Sequence, residues 1–358
     1  MRPRRGPSHP LRDPFAPPLR PAPQPPASRT PTPGVPRPRP GAPAPPPAVT
    51  PIAYSGRMPA RTWVPPGPYD LHRTLGVLQR GPGDPAFAVR GGEIWRACRT
   101  PQGPGTLCVA ARPADGEVVA EAWGPGAEWL LDRLPQLLGE DDDPAQLTAR
   151  HRIVHEARRR HPGVRLARTG LVLESLIPSI LEQKVTSDEA YRAWRLLLQR
   201  HGEPAPGPWE RLRVMPDPRG WALIPSWEWH RAGVDAKRST AILRAVRVAR
   251  RMEEAARMDL SDATRRLTAI PGIGPWTAAE TLQRALGAPD AITVGDLHLP
   301  KIIGYALTGR RGTTDAEMLE LLAPYTGQRH RAARLILLSG ITPPRRAPRF
   351  PVGDIARL

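Results

Sequence analysis

The spacing of apolar and polar positions predicts a mixed unit near the start of the chain. Within residues 62–144, short runs such as Phe87–Arg90 and Glu117–Trp123 combine alternation with β-branched residues and are separated by Gly and Pro. This pattern is typical of an antiparallel meander. Leucines on one face then predict a helix at Pro125–Leu138. We therefore expect a small α+β domain here.

From residue 145 to residue 340, apolar positions recur mainly at helical spacing. Leu171–Leu181 is strongly apolar and predicts a buried central helix, and Ser187–Arg200 follows with Ser187 as its N-cap. Further amphipathic helices are predicted at Thr240–Ala256, Asp315–Leu322 and Arg331–Leu338. The expected fold is mainly α, with an all-helical domain that follows the α+β domain. The charged stretch at residues 139–144 predicts a solvated boundary between the two.

The first 61 residues lack apolar periodicity. They contain 21 prolines, ten arginines and one acidic residue, Asp13. Such a segment buries too little surface to offset its ordering entropy, so we expect a disordered tail. One interpretation is a basic arm that searches DNA. The other, slightly favoured, is that translation starts at Met58 and the tail is not native protein. Residues 341–358 predict a second loose tail.

The charge balance changes this picture only modestly. The 358 residues include 52 Lys and Arg against 34 Asp and Glu, a net charge of +18, of which +9 falls in the first 61 residues. The remainder is moderately basic, as suits a protein that meets phosphates. Two cysteines exclude a disulfide scaffold or a four-cysteine metal site. No run reaches the roughly 18 apolar residues of a membrane span, so a cytoplasmic protein is expected.

A Gly/Pro-rich turn between two predicted helices carries the most specific signal. Pro271-Gly-Ile-Gly274 has two glycines that tolerate unusual backbone angles, a central Ile273 that can pack inward, and Pro275 at the first helical position. The bare N–H groups and the positive end of the second helix can bind a phosphate oxygen. The pattern predicts a DNA-binding helix-hairpin-helix, although tight αα-turns with Gly caps are common.

The segment Leu267–Glu280, together with Val294–Lys301, resembles the signature of the helix-hairpin-helix DNA glycosylase superfamily, and most closely the bacterial inducible 3-methyladenine type (type II). Pro68–Gly76 also resembles the start of that type's extra N-terminal domain. The resemblance covers roughly residues 63–340, strongly at the signature and weakly elsewhere.

Asp296 lies 22 residues after Gly274 and matches the superfamily's catalytic aspartate. A carboxylate beside C1′ of a flipped nucleotide can stabilise oxocarbenium-like charge and position or deprotonate the attacking water. Its alternative role is to cap the following helix. Trp276 stands where the lyase-competent members carry a Schiff-base lysine. Tryptophan forms no imine, so the resemblance implies a monofunctional enzyme.

The resemblance also implies a base pocket beside Trp276, whose indole face suits a cationic alkylated purine. Glu280 shares that helix face but replaces the usual aromatic residue, so it could attract a cationic base or pair with an arginine. Tyr325 is a further pocket candidate. The tryptophans Trp221, Trp227 and Trp229 could line the cleft, although large aromatics near loops are more often core.

Gln183-Lys-Val-Thr186 resembles the family segment that fills the gap left by the flipped nucleotide. Lys184 stands where the family usually has an apolar wedge, and Thr186 ends the motif. Lys301, Lys237 and Arg238 are candidate phosphate contacts, although exposed basic residues are usually only solvated.

The resemblance implies a monofunctional DNA N-glycosylase that removes alkylated bases, notably 3-methyladenine, with 7-methylguanine as a further candidate. We expect it to act as a monomer on duplex DNA containing a damaged base, in the cytoplasm near the nucleoid, without a metal or organic cofactor. Two alternatives remain open. The hairpin could belong to a non-catalytic DNA-binding module, or the enzyme could act on deaminated or bulky lesions.

Overall fold

The computed structural model describes residues 59–344. The predicted tails, up to residue 58 and beyond residue 344, lie outside the described residues. Contacts divide the chain into two units, Met1–Ala53 and Tyr54–Leu358, and everything below belongs to the second. The predicted domain boundary near residue 144 stays a prediction, because the sheet and the helices fall in one contact unit.

Five antiparallel strands form a sheet in the order β1-β5-β4-β3-β2. They are β1 (Ala60–Trp63), β2 (Phe87–Arg90), β3 (Glu93–Thr100), β4 (Gly103–Arg112) and β5 (Glu117–Trp123). The predicted meander is therefore confirmed for β2 to β5. The prediction was wrong for Ala60 and Arg61, which it placed in the tail: both lie in β1 and pair with β5.

One face of the sheet is covered by three short helices, α1 (Leu71–Leu75), α2 (Ala127–Asp132) and α3 (Leu134–Leu137). Their leucines pack with Ile94, Leu107 and Val109 into one apolar core. The helix predicted at Pro125–Leu138 is in fact two, since Arg133 leaves helical geometry between them.

The rest of the described chain is mostly helical, as predicted, with a two-stranded interruption. The elements are α4 (Arg152–Arg160), α5 (Val172–Leu181), α6 (Ser187–His201), β6 (Glu203–Pro204), β7 (Arg213–Val214), α7 (Pro218–Leu223), α8 (Ser226–Arg231), α9 (Ala236–Arg247), α10 (Ala249–Glu253), α11 (Leu260–Thr268), α12 (Pro275–Ala285), α13 (Leu299–Thr308), α14 (Asp315–Leu322) and α15 (Arg329–Leu338).

The predicted central helix is confirmed as α5. Nine of its ten residues are buried, and it packs against α12, α9 and α6. Its first N–H groups, on Val172 and Leu173, donate to the carboxylate of Glu253 at 2.8 and 2.9 Å. This side-chain cap fixes α5 where it supports the hairpin helix α12.

Two helix boundaries differ from the prediction for local reasons. The N-cap of α6 is Thr186, not Ser187, because Thr186 and Glu189 form a reciprocal capping box. The predicted helix Thr240–Ala256 is divided at Val248, whose backbone leaves the helical region.

The acidic stretch before Pro144 is not fully solvated, contrary to the prediction. Asp142 accepts from the backbone N–H of Leu166 at 2.9 Å and from the guanidinium of Arg331 at 3.0 Å. Both side chains of this ion pair are buried. Asp142 therefore joins this stretch to α15. Within residues 59–344, no helix combines the length and apolar composition needed to cross a membrane.

Candidate functional site

The hairpin connects α11 to α12 and depends on one glycine. Gly272 has φ +101°, and a Cβ there would lie 2.8 Å from the Cβ of Ala241. Both the backbone angle and the close approach require glycine. Gly274 has φ −95°, so of the two hairpin glycines only Gly272 uses the left-handed region. A Cβ at Gly274 would meet no atom within 4 Å, so space is open above it.

Side chains from other segments hydrogen-bond to the carbonyl groups of the turn, whereas the first N–H groups of α12 have no side-chain cap. Ile273 is buried, as predicted, and Pro275 occupies the first turn of α12. The carbonyl of Pro271 accepts from Arg244 at 3.1 Å, and that of Gly272 accepts from Gln183 at 3.0 Å. No side chain caps the N-terminus of α12. Its first N–H groups therefore remain available to an anion.

Asp296 lies beside this helix and is held by three N–H donors. Its Oδ1 accepts from the backbone N–H groups of His298 and Leu299, both at 2.8 Å. Its Oδ2 accepts from the indole N–H of Trp276 at 3.0 Å. The carboxylate thus accepts from backbone N–H groups at the start of α13 and, at the same time, from a side chain of α12. An ionised carboxylate has about four acceptor positions, so one remains for a ligand.

These contacts favour the ionised form of Asp296. Partial burial opposes ionisation, but the Trp276 indole and the two backbone N–H groups outweigh it, and the pKa of Asp296 is lowered from its usual value. The side chain is therefore charged at neutral pH. A negative group in this position can stabilise a developing positive charge.

Glu280 lies one turn beyond Trp276, as predicted. Its carboxylate accepts from the hydroxyl of Thr293 at 2.7 Å and from Arg284 Nη1 at 2.8 Å. Of the two predicted roles, pairing with an arginine is observed. The i,i+4 spacing of Glu280 and Arg284 could have indicated it from the sequence.

The Gln183–Thr186 segment connects α5 to α6 and is tied down on both sides of Lys184. The Gln183 amide donates to the hairpin carbonyl of Gly272 and, at 2.8 Å, to Thr277 Oγ1. Thr186 is occupied as the cap of α6. Lys184 is exposed and has φ +55°, the one positive φ of a non-glycine residue within residues 59–344. The segment therefore presents Lys184 next to the hairpin.

Two residues near Asp296 escaped the sequence analysis. Asp315, the first residue of α14, accepts from the N–H of Gly295 at 3.0 Å through Oδ2, and its Oδ1 is buried with no partner. Leu297 is 68% exposed beside Asp296. No sequence pattern predicts the contact between Gly295 and Asp315. Leu297, in contrast, could have been noticed as an apolar residue directly after the candidate aspartate.

Several other candidates are structural. Tyr325 is buried between α4 and α15, and its hydroxyl accepts from the N–H groups of Arg150 and His151. Those contacts give no support to a pocket role, so that role remains only a prediction. Arg238 is buried, donating to Asp235 and to the carbonyls of Leu181 and Gly233, and is therefore not an exposed phosphate contact.

Of the remaining candidate residues, some are buried and others are exposed to solvent. Trp221 and Trp229 are core residues, whereas Trp227 is 66% exposed. Lys237 and Lys301 are exposed, Lys301 in the first turn of α13. Among the described residues, no group of three or more His, Cys, Asp or Glu side chains could hold a metal ion.

Comparisons with known proteins show what this arrangement resembles. A scan against known protein families gives no match. The DNA-3-methyladenine glycosylase of Bacillus subtilis (strain 168) is 26% identical over 171 residues, which are 47% of this chain and 56% of that protein. The chain thus matches only about half of that relative's length.

Two solved structures share the fold. The 3-methyladenine DNA glycosylase from Archaeoglobus fulgidus superposes with a TM-score of 0.64 at 18% identity, covering 78% of this chain and 98% of that one. The Clostridium acetobutylicum 8-oxoguanine glycosylase/lyase gives a TM-score of 0.59 at 11% identity, covering 76% and 93%.

The predicted resemblance to DNA glycosylases is therefore confirmed. Hairpin, aspartate and helical framework occur together, in a fold shared with solved glycosylases and in a sequence related to a curated one. By sequence, this chain resembles the DNA-3-methyladenine glycosylase of Bacillus subtilis, and its fold is the one found in solved helix-hairpin-helix DNA glycosylases.

Proposed function

We propose that this protein is a monofunctional DNA N-glycosylase that excises alkylated bases of the 3-methyladenine kind from duplex DNA. One observation carries the proposal: the carboxylate of Asp296 is held ionised by Trp276 and two backbone N–H groups, immediately beside the uncapped start of the hairpin helix α12. A phosphate bound at the hairpin would bring a nucleotide's sugar close to that carboxylate.

The hairpin is the DNA grip in this proposal. The bare first turn of α12 and the open space above Gly274 leave room for a phosphate oxygen to reach the backbone. Lys301 is exposed in the first turn of α13 and can contact a second phosphate. The structure of the Clostridium enzyme in complex with duplex DNA supports the choice of partner.

Base flipping is assigned to the segment around Lys184. Gln183 and Thr186 hold its two sides, and the positive φ of Lys184 makes the chain turn sharply and present this side chain. A left-handed conformation at a non-glycine residue is costly, and strained residues of this kind cluster at functional sites. Lys184 would contact a phosphate or the orphaned base, where an apolar residue would wedge.

The chemistry follows from the charge on Asp296. As the N-glycosidic bond breaks, its electron pair leaves with the base and positive charge develops on C1′ and the ring oxygen. The carboxylate stabilises this charge. A water oxygen then bonds to C1′ and gives a proton to Asp296, so the products are a free base and an abasic site. Cationic alkylated purines need little further help, because they are good leaving groups.

Trp276 supports the monofunctional assignment. By resemblance it stands at the position of a Schiff-base lysine, and its indole N–H donates to Asp296. No imine can form there. Its ring face can also contact a cationic base. We further propose that the protein acts as a monomer in the cytoplasm, at the nucleoid, without a metal or organic cofactor.

The decisive experiment measures base release and strand nicking on methylated duplex DNA, for the unaltered protein and for Asp296→Asn. We expect release without nicking, and loss of release in the variant while DNA binding persists. Tight, salt-sensitive binding without any release would favour the non-catalytic module instead. A borohydride-trapped covalent complex would contradict the monofunctional assignment.

A further inference from the structure

One face of α12 forms a polar wall that leads inward from Asp296. Trp276, Glu280 and Arg284 are spaced four residues apart and therefore share this face. Trp276 bonds to Asp296 at one end of the wall. At the other end, Arg284 Nε donates to the carbonyl of Val77, next to the sheet, at 3.0 Å. A base stacked on Trp276 would meet Glu280 next.

The charged side chains of this wall occur in ion pairs. Glu280 and Arg284 form an ion pair whose side chains are 16% and 17% exposed. A second pair, Arg80 and Glu182 at 3.1 Å, lies close by. Burial lowers the pKa of Arg80, and the neighbouring Arg284 lowers it further. Each of these carboxylates is paired with an arginine, and alkylated purines of the guanine and adenine types are both cationic, so discrimination between them must come from directional hydrogen bonds.

The carboxylate of Glu280 is fixed in orientation by two hydrogen bonds, which use only half of its acceptor positions. Thr293 and Arg284 take one acceptor position on each oxygen. An ionised carboxylate has about four such positions, so two remain. They fit a base that presents two adjacent N–H donors.

The two alkylated purines differ at this edge. A guanine-type base presents N1–H and the N2 amino group side by side, whereas an adenine-type base presents the N1 lone pair beside its amino group. The N1 lone pair of an adenine-type base and the Glu280 carboxylate would repel each other. One oxygen of this largely buried carboxylate would then lack a hydrogen-bond donor.

We propose that Glu280 is a specificity-determining residue that favours guanine-type alkylated purines, such as 7-methylguanine, over adenine-type ones, such as 3-methyladenine. This rests on the proposed glycosylase function and refines its substrate: among the alkylated purines that the enzyme excises, the guanine-type bases would be released faster than the adenine-type ones. The Thr293 and Arg284 contacts hold the carboxylate in place, and Asp296 carries out the chemistry.

The test uses duplex DNA treated with a methylating agent, which contains both lesions in one substrate. The initial rates of release of 7-methylguanine and 3-methyladenine are measured by liquid chromatography for the unaltered protein, Glu280→Gln and Glu156→Gln. Glu156 is the matched control, because it forms an i,i+4 ion pair with Arg152 on the solvent-exposed side of α4. Thermal melting of each variant reports folding.

We expect Glu280→Gln to lower the ratio of 7-methylguanine to 3-methyladenine release by on the order of tenfold, and Glu156→Gln to leave it unchanged. An unchanged ratio in a folded Glu280→Gln that releases both bases would overturn the inference and spare the proposed function. If that variant does not fold, Glu280→Asp, which keeps the charge but retracts it, must lower the ratio instead. No release of either base by the unaltered protein would remove the proposed function and this inference together.

Discussion

The indole N–H of Trp276 and the Oδ2 of Asp296, 3.0 Å apart, connect the hairpin helix to the start of α13. The two residues are 20 positions apart in sequence. Because the same carboxylate also accepts the first N–H groups of α13, its position is fixed by two helices at once. The hairpin and the aspartate are therefore one structural unit, and small changes in either should alter the other.

Removing the indole N–H should alter the pH dependence of base release. The pKa of Asp296 is lowered in the folded protein, so activity should be lost only as pH falls through that lowered value. Trp276→Phe keeps a ring but removes a donor, so the pKa should rise and the acid limb of the pH–rate profile should move to higher pH. Trp227→Phe, at an exposed site, is the control. Identical acid limbs for all three proteins would refute this role.

The two hairpin glycines should behave differently when each is replaced by alanine. Gly272→Ala forces a side chain into the left-handed region and against Ala241, so it should destabilise the fold by about 1–3 kcal/mol. Gly274→Ala meets open space and should change stability by less than about 0.5 kcal/mol, yet weaken DNA binding by blocking the approach of a phosphate. Urea unfolding and DNA titration separate the two effects. Equal losses of stability in Gly272→Ala and Gly274→Ala would contradict a special backbone requirement at Gly272.

Asp315 should act as a positioning residue for Asp296. Its Oδ2 accepts from Gly295, whose φ is +84°, directly before the aspartate. Asp315→Ala should lower the single-turnover rate by roughly tenfold to a hundredfold while DNA affinity is kept. Asp315→Asn retains an oxygen acceptor and should restore most of the rate. If both variants lose affinity and rate in parallel, Asp315 only stabilises the fold.

The buried ion pair of Asp142 and Arg331 should contribute more to the free energy of unfolding than the more exposed ion pair of the neighbouring Asp141. Asp142→Ala leaves a buried guanidinium unpaired and should cost about 3–5 kcal/mol in the free energy of unfolding. Asp141, whose ion pair with Arg168 is half exposed, is the matched control, and Asp141→Ala should cost at most about 1 kcal/mol. Chemical denaturation of both variants tests this, and similar midpoints would contradict it.

Local patterns determined a large part of this protein. The alternation at Phe87–Arg90 and the apolar run at Leu171–Leu181 each predicted their element, because both patterns depend only on nearby residues. The Gly/Pro-rich turn, and Asp296 at its set distance, indicated the site for the same reason. Resemblance to a known signature then indicated a DNA glycosylase.

The tertiary structure decided how side chains from distant segments are paired. Asp315 and Gly295, Gln183 and Thr277, and Asp142 and Arg331 meet only because helices and loops remote in sequence pack together. Hydrogen bonds of this kind leave no periodicity, so no spacing rule predicts them. The sequence by itself indicated the hairpin, Trp276 and Asp296, because these lie in one contiguous pattern. Only packing decided which partner each carboxylate received, and with it the charge and direction of Asp296.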